Sequence, residues 1–256
     1  LVAFSDPILF AAPDRTRALL NWGGIANVTR VPAASASLPP LAFDLGPANA
    51  LLDAAVEIAT GGAARVDTDG AMAAEGAVDD DLLRDLLADP WFDLAPPKST
   101  GKERFGAPFV ERLVKARGLD SGSPAAGWAD FLRTLAEFTI RTTALGIRRF
   151  VGEVEEVLVG GGGARNPVLM RGLAEEMASV PVRPLEAGDG PSGVDAETRE
   201  AAAFALLAWA FLTGRPGNVP VATGAAGTRV LGSFTPSPGR PVRLDVGPDD
   251  GGGAPR

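Results

Sequence analysis

The 256-residue sequence contains no cysteine, no histidine and no tyrosine. Without cysteine there is no disulfide, no thiolate nucleophile and no thiolate-ligated zinc. Without histidine the usual general base and the commonest metal ligand are both gone. Proton transfer must then fall to Asp, Glu or Lys, or to water and substrate groups that they hold. Any metal taking part would be a hard cation with oxygen ligands, and Mg²⁺ held largely by substrate phosphates fits best. Basic charge is also scarce. Lys and Arg number 24 against 32 Asp and Glu, a net charge of -8, which argues against nucleic acid as a main partner. No apolar run is long enough to span a membrane. The Ala-rich stretch 201–212 is too short and is flanked by charge. No basic segment followed by an apolar one opens the chain, so a cytoplasmic protein is expected.

What is present is an ordinary globular composition, 46% hydrophobic and 22% charged, with two unusual segments. Phe43-Asp44-Leu45-Gly46-Pro47-Ala48-Asn49 and Leu158-Val159-Gly160-Gly161-Gly162-Gly163-Ala164-Arg165-Asn166 each follow an apolar, strand-like stretch and precede a helical pattern. A strand entering a Gly-rich turn and then a helix brings backbone N–H groups to where an anion can approach. The carboxylate of the first segment suits metal–phosphate or general-base work. Two such turns point to a phosphate-handling enzyme.

Periodicity places these turns in an α/β chain. Residues 17–29 read as strand, Gly23-Gly24 turn and strand, with another strand starting at 41–43. Helices are expected over 48–59, 79–88, 108–117, 129–150 and 195–212, and one from Asn166 through Met177 with Pro167 at its first position. Further strands are expected at 156–159, 180–184 and 230–234. The stretch from 247 onward reads as a disordered Gly/Pro/Asp tail. Strands alternating with helices give an α/β fold with no internal repeat.

Each motif has a bland reading beside the functional one. The four glycines from Gly160 could form only a tight turn, but their entropic cost favours close approach of a ligand. They match neither GxGxxG nor a P-loop. Asp44 reads equally as a residue capping the next helix or as a carboxylate projecting into a cleft. The Lys98-Ser99-Thr100-Gly101-Lys102 cluster reads as a solvated polar loop. Glu200, at the edge of an apolar helix, is either paired or functional. Gly23-Gly24 with Asn27 is read as a hairpin turn.

Taken together, five segments resemble the anhydro-N-acetylmuramic acid kinases in order and spacing: Asn21-Trp22-Gly23-Gly24-Ile25-Ala26-Asn27-Val28-Thr29, the Asp44 segment, Pro96-Pro97-Lys98-Ser99-Thr100-Gly101-Lys102-Glu103, the run from Gly161 to Pro167, and Glu200-Ala201-Ala202-Ala203-Phe204-Ala205. Pro216-Gly217-Asn218-Val219-Pro220 and Thr223-Gly224-Ala225 fit the same pattern. The resemblance covers the chain to about residue 235. It implies a lobe of the sugar kinase/Hsp70/actin type, ribonuclease H-like, with a mixed β-sheet flanked by helices. It also implies the reaction: water opens the 1,6-anhydro ring of the amino sugar while O6 takes the γ-phosphate of Mg·ATP, in peptidoglycan recycling.

In residue terms, the resemblance implies Asp44 as the base that activates water and Glu200 in the same site. Gly46, Asn49, Gly161, Gly162, Gly163, Arg165 and Asn166 become nucleotide-binding positions, and Lys98, Ser99 and Thr100 substrate-binding ones. The family's Gly-Thr-Ser-x-Asp-Gly phosphate loop has no counterpart here. Residues 1–15 are therefore expected to be a remnant of the first lobe, 16–218 the second lobe, and 219–246 a segment returning to the first. On that reading the 256 residues alone lack turnover, and apolar surface is left for the other lobe, or a homodimer, to cover. Leu45 stands where the family usually has Thr, and Ala48 where it usually has Gly, changes expected to weaken phosphate contact. A catalytically dead nucleotide- or sugar-binding module, and another sugar kinase of the same fold, are the alternatives.

Overall fold

The computed structural model describes residues 2–190 and 193–235. Helix α1 (Val2–Phe10) opens the chain, despite Pro7 within it. That proline is why the sequence pattern did not reveal the helix. Strands β1 (Arg17–Trp22) and β2 (Ile25–Val31) then form an antiparallel hairpin over the Gly23-Gly24 turn, and β3 (Leu41–Pro47) pairs antiparallel with β2. Further along, β4 (Glu156–Gly160) runs parallel to β1, and β5 (Val182–Pro184) parallel to β4. The sheet order is β3-β2-β1-β4-β5. All strands but β2 point the same way, so the carboxyl ends of β1, β3, β4 and β5 share one edge, where ligands bind in open α/β sheets. This is the mixed sheet with flanking helices expected of an actin-type ATPase lobe.

The helices follow from local chemistry. After β3 come α2 (Asn49–Ala59), the single turn α3 (Ala71–Ala74) and α4 (Asp80–Leu87). The Asp79 carboxylate caps α4 by accepting from Leu82 N at 2.9 Å, and acidic Asp80 and Asp81 suit its first turn. Next are the short α5 (Lys102–Phe105), α6 (Ala107–Arg117), ended by Gly118 at φ 64°, and the long α7 (Ala125–Gly146). A π turn over Ile147–Val151 ends α7. Asn166 caps α8 (Pro167–Glu176) through Val168 N at 2.9 Å and Leu169 N at 3.3 Å. Helix α9 (Arg199–Leu212) and the short α10 (Pro220–Thr223) complete the described elements.

The two faces of the sheet are packed differently. On one, Ala18, Leu20 and Trp22 of β1, Val28 of β2, Phe43 and Leu45 of β3, and Val157 and Val159 of β4 join a large core with α2, α4, α6, α7 and α8. We call this the dense face. On the other, the open face, the described residues form a smaller buried cluster, in which Leu9 and Phe10 of α1 pack on Leu19, Val31, Leu158 and Leu185 with α9 alongside. Polar chemistry replaces apolar area there. Asp6 of α1, fully buried, is paired with Arg199 of α9, whose Nε lies 2.9 Å from Oδ1. Arg17 Nε reaches Glu156 Oε1 at 2.7 Å, and Arg183 joins the same carboxylate at 3.0 Å.

Three expectations are corrected. Helix α9 begins at Arg199 rather than 195, because Asp195 closes a turn by accepting from Glu197 N and Thr198 N at 3.1 and 2.8 Å. Residues 230–234 form no strand; the preceding residue, Arg229, instead pairs with Gly217 and Asn218. Leu145, which helical periodicity over 129–150 places in one apolar stripe with Leu132, Leu135, Phe138, Thr139, Thr142 and Ile147, is 40% exposed. The stretch from 247 onward lies outside the described residues.

Candidate active site

Asp44 sits inside β3, not beyond its end, and does not cap α2, whose N-cap is Ala48. The register explains its direction. Asn27 pairs with Asp44 but Ala26 pairs with Gly46, leaving Leu45 as the extra residue of a β-bulge. Such a bulge re-aims neighbouring side chains. Leu45 is buried against Gly146 of α7, and Gly46, at φ 139°, lies against Phe92 so closely that a Cβ would sit 2.8 Å from its ring. Asp44 is left on the open face.

There it lines a cavity of about 530 Å³ with Asn27, Val2 and Ala3 of α1, Pro97, Lys98 and Ser99, and Ala222 and Thr223 of α10. β3 is an edge strand, and the 98–100 loop covers its free edge. Asp44 N donates to Lys98 O at 3.2 Å, and Thr100 N donates to Asp44 Oδ2 at 2.9 Å. Burial pushes the Asp44 carboxyl above the usual Asp value, with the Thr100 N–H partly opposing. The Thr100 hydroxyl beside it is buried with no hydrogen-bond partner.

Lys98 does not present its ammonium to the cavity. Nζ lies 4.4 Å from the Trp91 ring centroid and 4.9 Å from that of Phe150, and donates to Phe92 O at 3.3 Å. Burial and nearby Arg149 lower its pKa. Sequence reasoning placed Lys98 on substrate; the structure commits its charge to two aromatic faces. Ser99 is exposed and lines the cavity.

The two glycine-bearing segments meet. Asn49, at the start of α2, donates from Nδ2 to Trp22 O at 3.0 Å. A Cβ on Gly161 would fall 2.7 Å from Trp22 O, one on Gly163 2.5 Å from Trp22 Cβ and 3.2 Å from Asn49 Oδ1, and one on Gly162 3.2 Å from Asn49 Nδ2. Close approach of the β4–α8 turn to β1 and α2 therefore accounts for Gly161 and Gly163 without a ligand. The α2 terminus is closed as well: Asn49 N and Ala50 N donate to Gly23 O and Gly24 O.

Cavities flank the β4–α8 turn on both sides. One of about 350 Å³ is lined by Asn49, Asp53, Asp67, Asp69, Gly162, Arg165 and Asn166. The other, about 660 Å³, is lined by Gly161, Gly162, Arg165, Leu185, Asp195 and Glu197, among others. Arg165 stands between them, paired with Glu197 at 2.8 Å on the surface.

Glu200 is exposed in the first turn of α9 and does not line the Asp44 cavity. Its neighbour Arg199 is the buried one, and lies beside Gly160 at the end of β4. Leu45 and Ala48 are both buried in the dense-face core. Neither lines the cavity that Asp44 lines. Sequence reasoning missed Asn27, which it read as hairpin only; strand register was needed to set it opposite Asp44. It also missed Asp53, although its spacing of four from Asn49 on α2 carried the signal. Burial raises the Asp53 carboxyl, and Lys102 partly offsets this.

Comparison with known proteins agrees with the sequence resemblance. The profile of the family described as Anhydro-N-acetylmuramic acid kinase matches residues 1–237. The chain is 46% identical over 257 residues to the anhydro-N-acetylmuramic acid kinase of Streptomyces coelicolor, covering 100% of this chain and 61% of that protein. The Xanthomonas campestris enzyme of the same name is 44% identical, covering 90% and 56%. That of Gloeobacter violaceus is 41% identical, covering 93% and 60%. The chain thus spans between half and two thirds of these relatives' length. Among solved structures it has a distant likeness to the activator of the 2-hydroxyisocaproyl-CoA dehydratase of Clostridium difficile with bound ADPNP, with TM-score 0.44 and 18% identity, covering 80% of this chain and 66% of that one. No helix among the described residues is long and apolar enough to cross a membrane. By profile and by identity, the chain belongs to the anhydro-N-acetylmuramic acid kinase family.

Proposed function

We propose that this chain carries the water-activating half of an anhydro-N-acetylmuramic acid kinase. In the proposed reaction Asp44 takes a proton from water, and the water oxygen bonds to C1 of the 1,6-anhydro sugar as the C1–O6 bond breaks. O6 then accepts the γ-phosphoryl group of Mg·ATP, giving the 6-phosphate and ADP. The observation that carries this reading is Asp44 itself: a half-buried carboxylate with a raised pKa, held by Thr100 N–H and open to a cavity of sugar size. With neither His nor Cys in the chain, the base is to be sought among its carboxylates and lysines.

Ser99, which lines the cavity, is assigned to the sugar, and Thr100 is assigned beside it, holding the Asp44 carboxylate through its N–H. Exposed Glu200, near the same carboxyl edge of the sheet, is assigned to the closed site. Gly161, Gly162, Arg165, Asn166 and Asn49 are assigned to the nucleotide side through the two cavities flanking their turn, and buried Gly163 is assigned with them as the residue that seats the turn on Trp22. Gly46, sealed by Phe92, acts by shaping the bulge. Among the described residues no three acidic side chains converge as a cation site, so magnesium is assigned as part of the Mg·ATP substrate. Residues 16–218 are assigned as one lobe, with α1 and the segment after 218 leading to the other. Turnover is proposed to need the length of the relatives, so the 256 residues alone should not phosphorylate the sugar.

The test is Asp44→Asn in a protein of the relatives' full length. General-base loss should lower turnover by roughly 10²–10⁴-fold. In the unsubstituted protein the rate should fall as pH drops through the raised Asp44 pKa, and the variant should lose that acid limb. The fold holds this proton more tightly than the unfolded chain does. The carboxyl therefore destabilises the fold above its raised pKa, and Asp44→Asn should not lower Tm. Turnover retained in the variant, or on the isolated 256 residues, would overturn the respective assignment.

A further inference from the structure

Lys98 is a half-buried cation that the reaction above does not use. Its ammonium sits between Trp91 and Phe150 and bonds to the Phe92 carbonyl. These partners come from two separate parts of the chain, the 3₁₀ turn Pro90–Asp93 and the π turn that ends α7. Beneath the ring pair lies further aromatic packing: Trp91 meets Phe92 and Phe105 edge-on, and Phe150 meets Phe43 of β3. The clamp is thus anchored in the dense core.

The same residue's backbone works on the other side of β3. Lys98 O accepts from Asp44 N, and two residues later Thr100 N donates to Asp44 Oδ2. One residue therefore joins an aromatic anchor to both constraints on the carboxylate. We propose that Lys98 is a positioning residue for Asp44: its clamped ammonium fixes the 98–100 loop at the register that holds the carboxylate. This rests on the reading of Asp44 as the base, but its consequence can be measured without turnover.

Of the residues lining the cavity, Asp44 and Lys98 are ionisable, and the Lys98 ammonium is turned away from it toward Trp91 and Phe150. The charged groups acting on Lys98 are Arg149 and Asp93, themselves an ion pair. The principal influences on the Asp44 carboxyl are its burial and the Thr100 N–H. Loosening the loop removes that N–H and leaves burial unopposed, so the carboxyl titration must move up.

The test is carboxyl NMR titration of Asp44 in the 256-residue chain, with amide exchange at Thr100 as a second readout. Lys98→Met keeps the apolar stem and removes the charge. It should raise the Asp44 midpoint by about one pH unit, the scale of one hydrogen bond to a carboxylate, and speed Thr100 exchange about tenfold. Lys98→Arg retains a cation for the rings and should restore most of both. Should Lys98→Met fail to fold, Phe150→Leu removes one wall of the clamp and should shift both readouts the same way. An unchanged Asp44 midpoint in a folded Lys98→Met or Phe150→Leu chain overturns the proposal. Absence of kinase activity in a protein of the relatives' full length would instead count against the function, leaving this measurement intact.

Discussion

The two faces of the sheet obey different rules. The dense face is held by apolar packing: Trp22, Phe43 and Leu45 are buried against α2, α7 and their neighbours. The open face has a buried apolar cluster of six residues, and it adds one ion pair between α1 and α9 and another between β1 and β4. It also leaves Phe204, Trp209 and Leu212 of α9 exposed, at 56%, 47% and 45%. Asp44 belongs to the open face, while its neighbour Leu45 belongs to the dense one. A face that is not filled with side chains has room for a cavity and for a carboxylate that is buried yet reachable. The apolar core and the proposed base have been placed on opposite sides of one strand.

Four substitutions sharpen that contrast, the largest effect first. Removing Asp6 strands the Arg199 guanidinium in a buried setting, so Asp6→Ala should cost about 3–5 kcal/mol in urea unfolding. A loss below 1 kcal/mol would mean that the open face does not depend on its ion pairs. Leu45→Thr, which restores the residue usual in the family, removes buried methyl groups and buries a hydroxyl. It should destabilise by about 2–4 kcal/mol, with no gain in nucleotide affinity. Tighter nucleotide binding in that variant would mean that position 45 serves the cavity after all.

The smallest effect compares glycines of one turn. Gly163→Ala drives a methyl into Trp22 Cβ and should cost about 1–3 kcal/mol. Gly162→Ala meets only the end of the Asn49 side chain and should lie within about 0.5 kcal/mol of the parent. Equal losses in the two would mean that the turn is not shaped by its contact with β1.

The glycine run shows what local reasoning left out. Four glycines argued for a ligand because no local connection needs them, and the argument considered only local connections. The partner at Gly161 and Gly163 is the end of β1, more than a hundred residues away in sequence. Lys98 failed similarly: a lysine in a polar-looking loop reads as solvent- or substrate-facing, and nothing local announces Trp91 and Phe150 around it. By contrast, the caps at Asp79 and Asn166, the hairpin at Gly23-Gly24 and the helix of α7 were legible, since each depends on residues within a turn or two of one another.

What the sequence determined by itself is the chemistry available and the order of the elements. With no histidine or cysteine, carboxylates must move the protons. Strand-like and helical patterns place Asp44 next to one turn and Gly160 to Asn166 in another. Tertiary structure alone decided which way those residues face. A single bulged residue turns Leu45 and Gly46 into the core and leaves Asp44 on the open side, because strand pairing, unlike helix periodicity, is set by a partner strand. The same pairing brings Asn27 opposite Asp44 and the glycine turn onto Trp22, contacts that no spacing along the chain encodes.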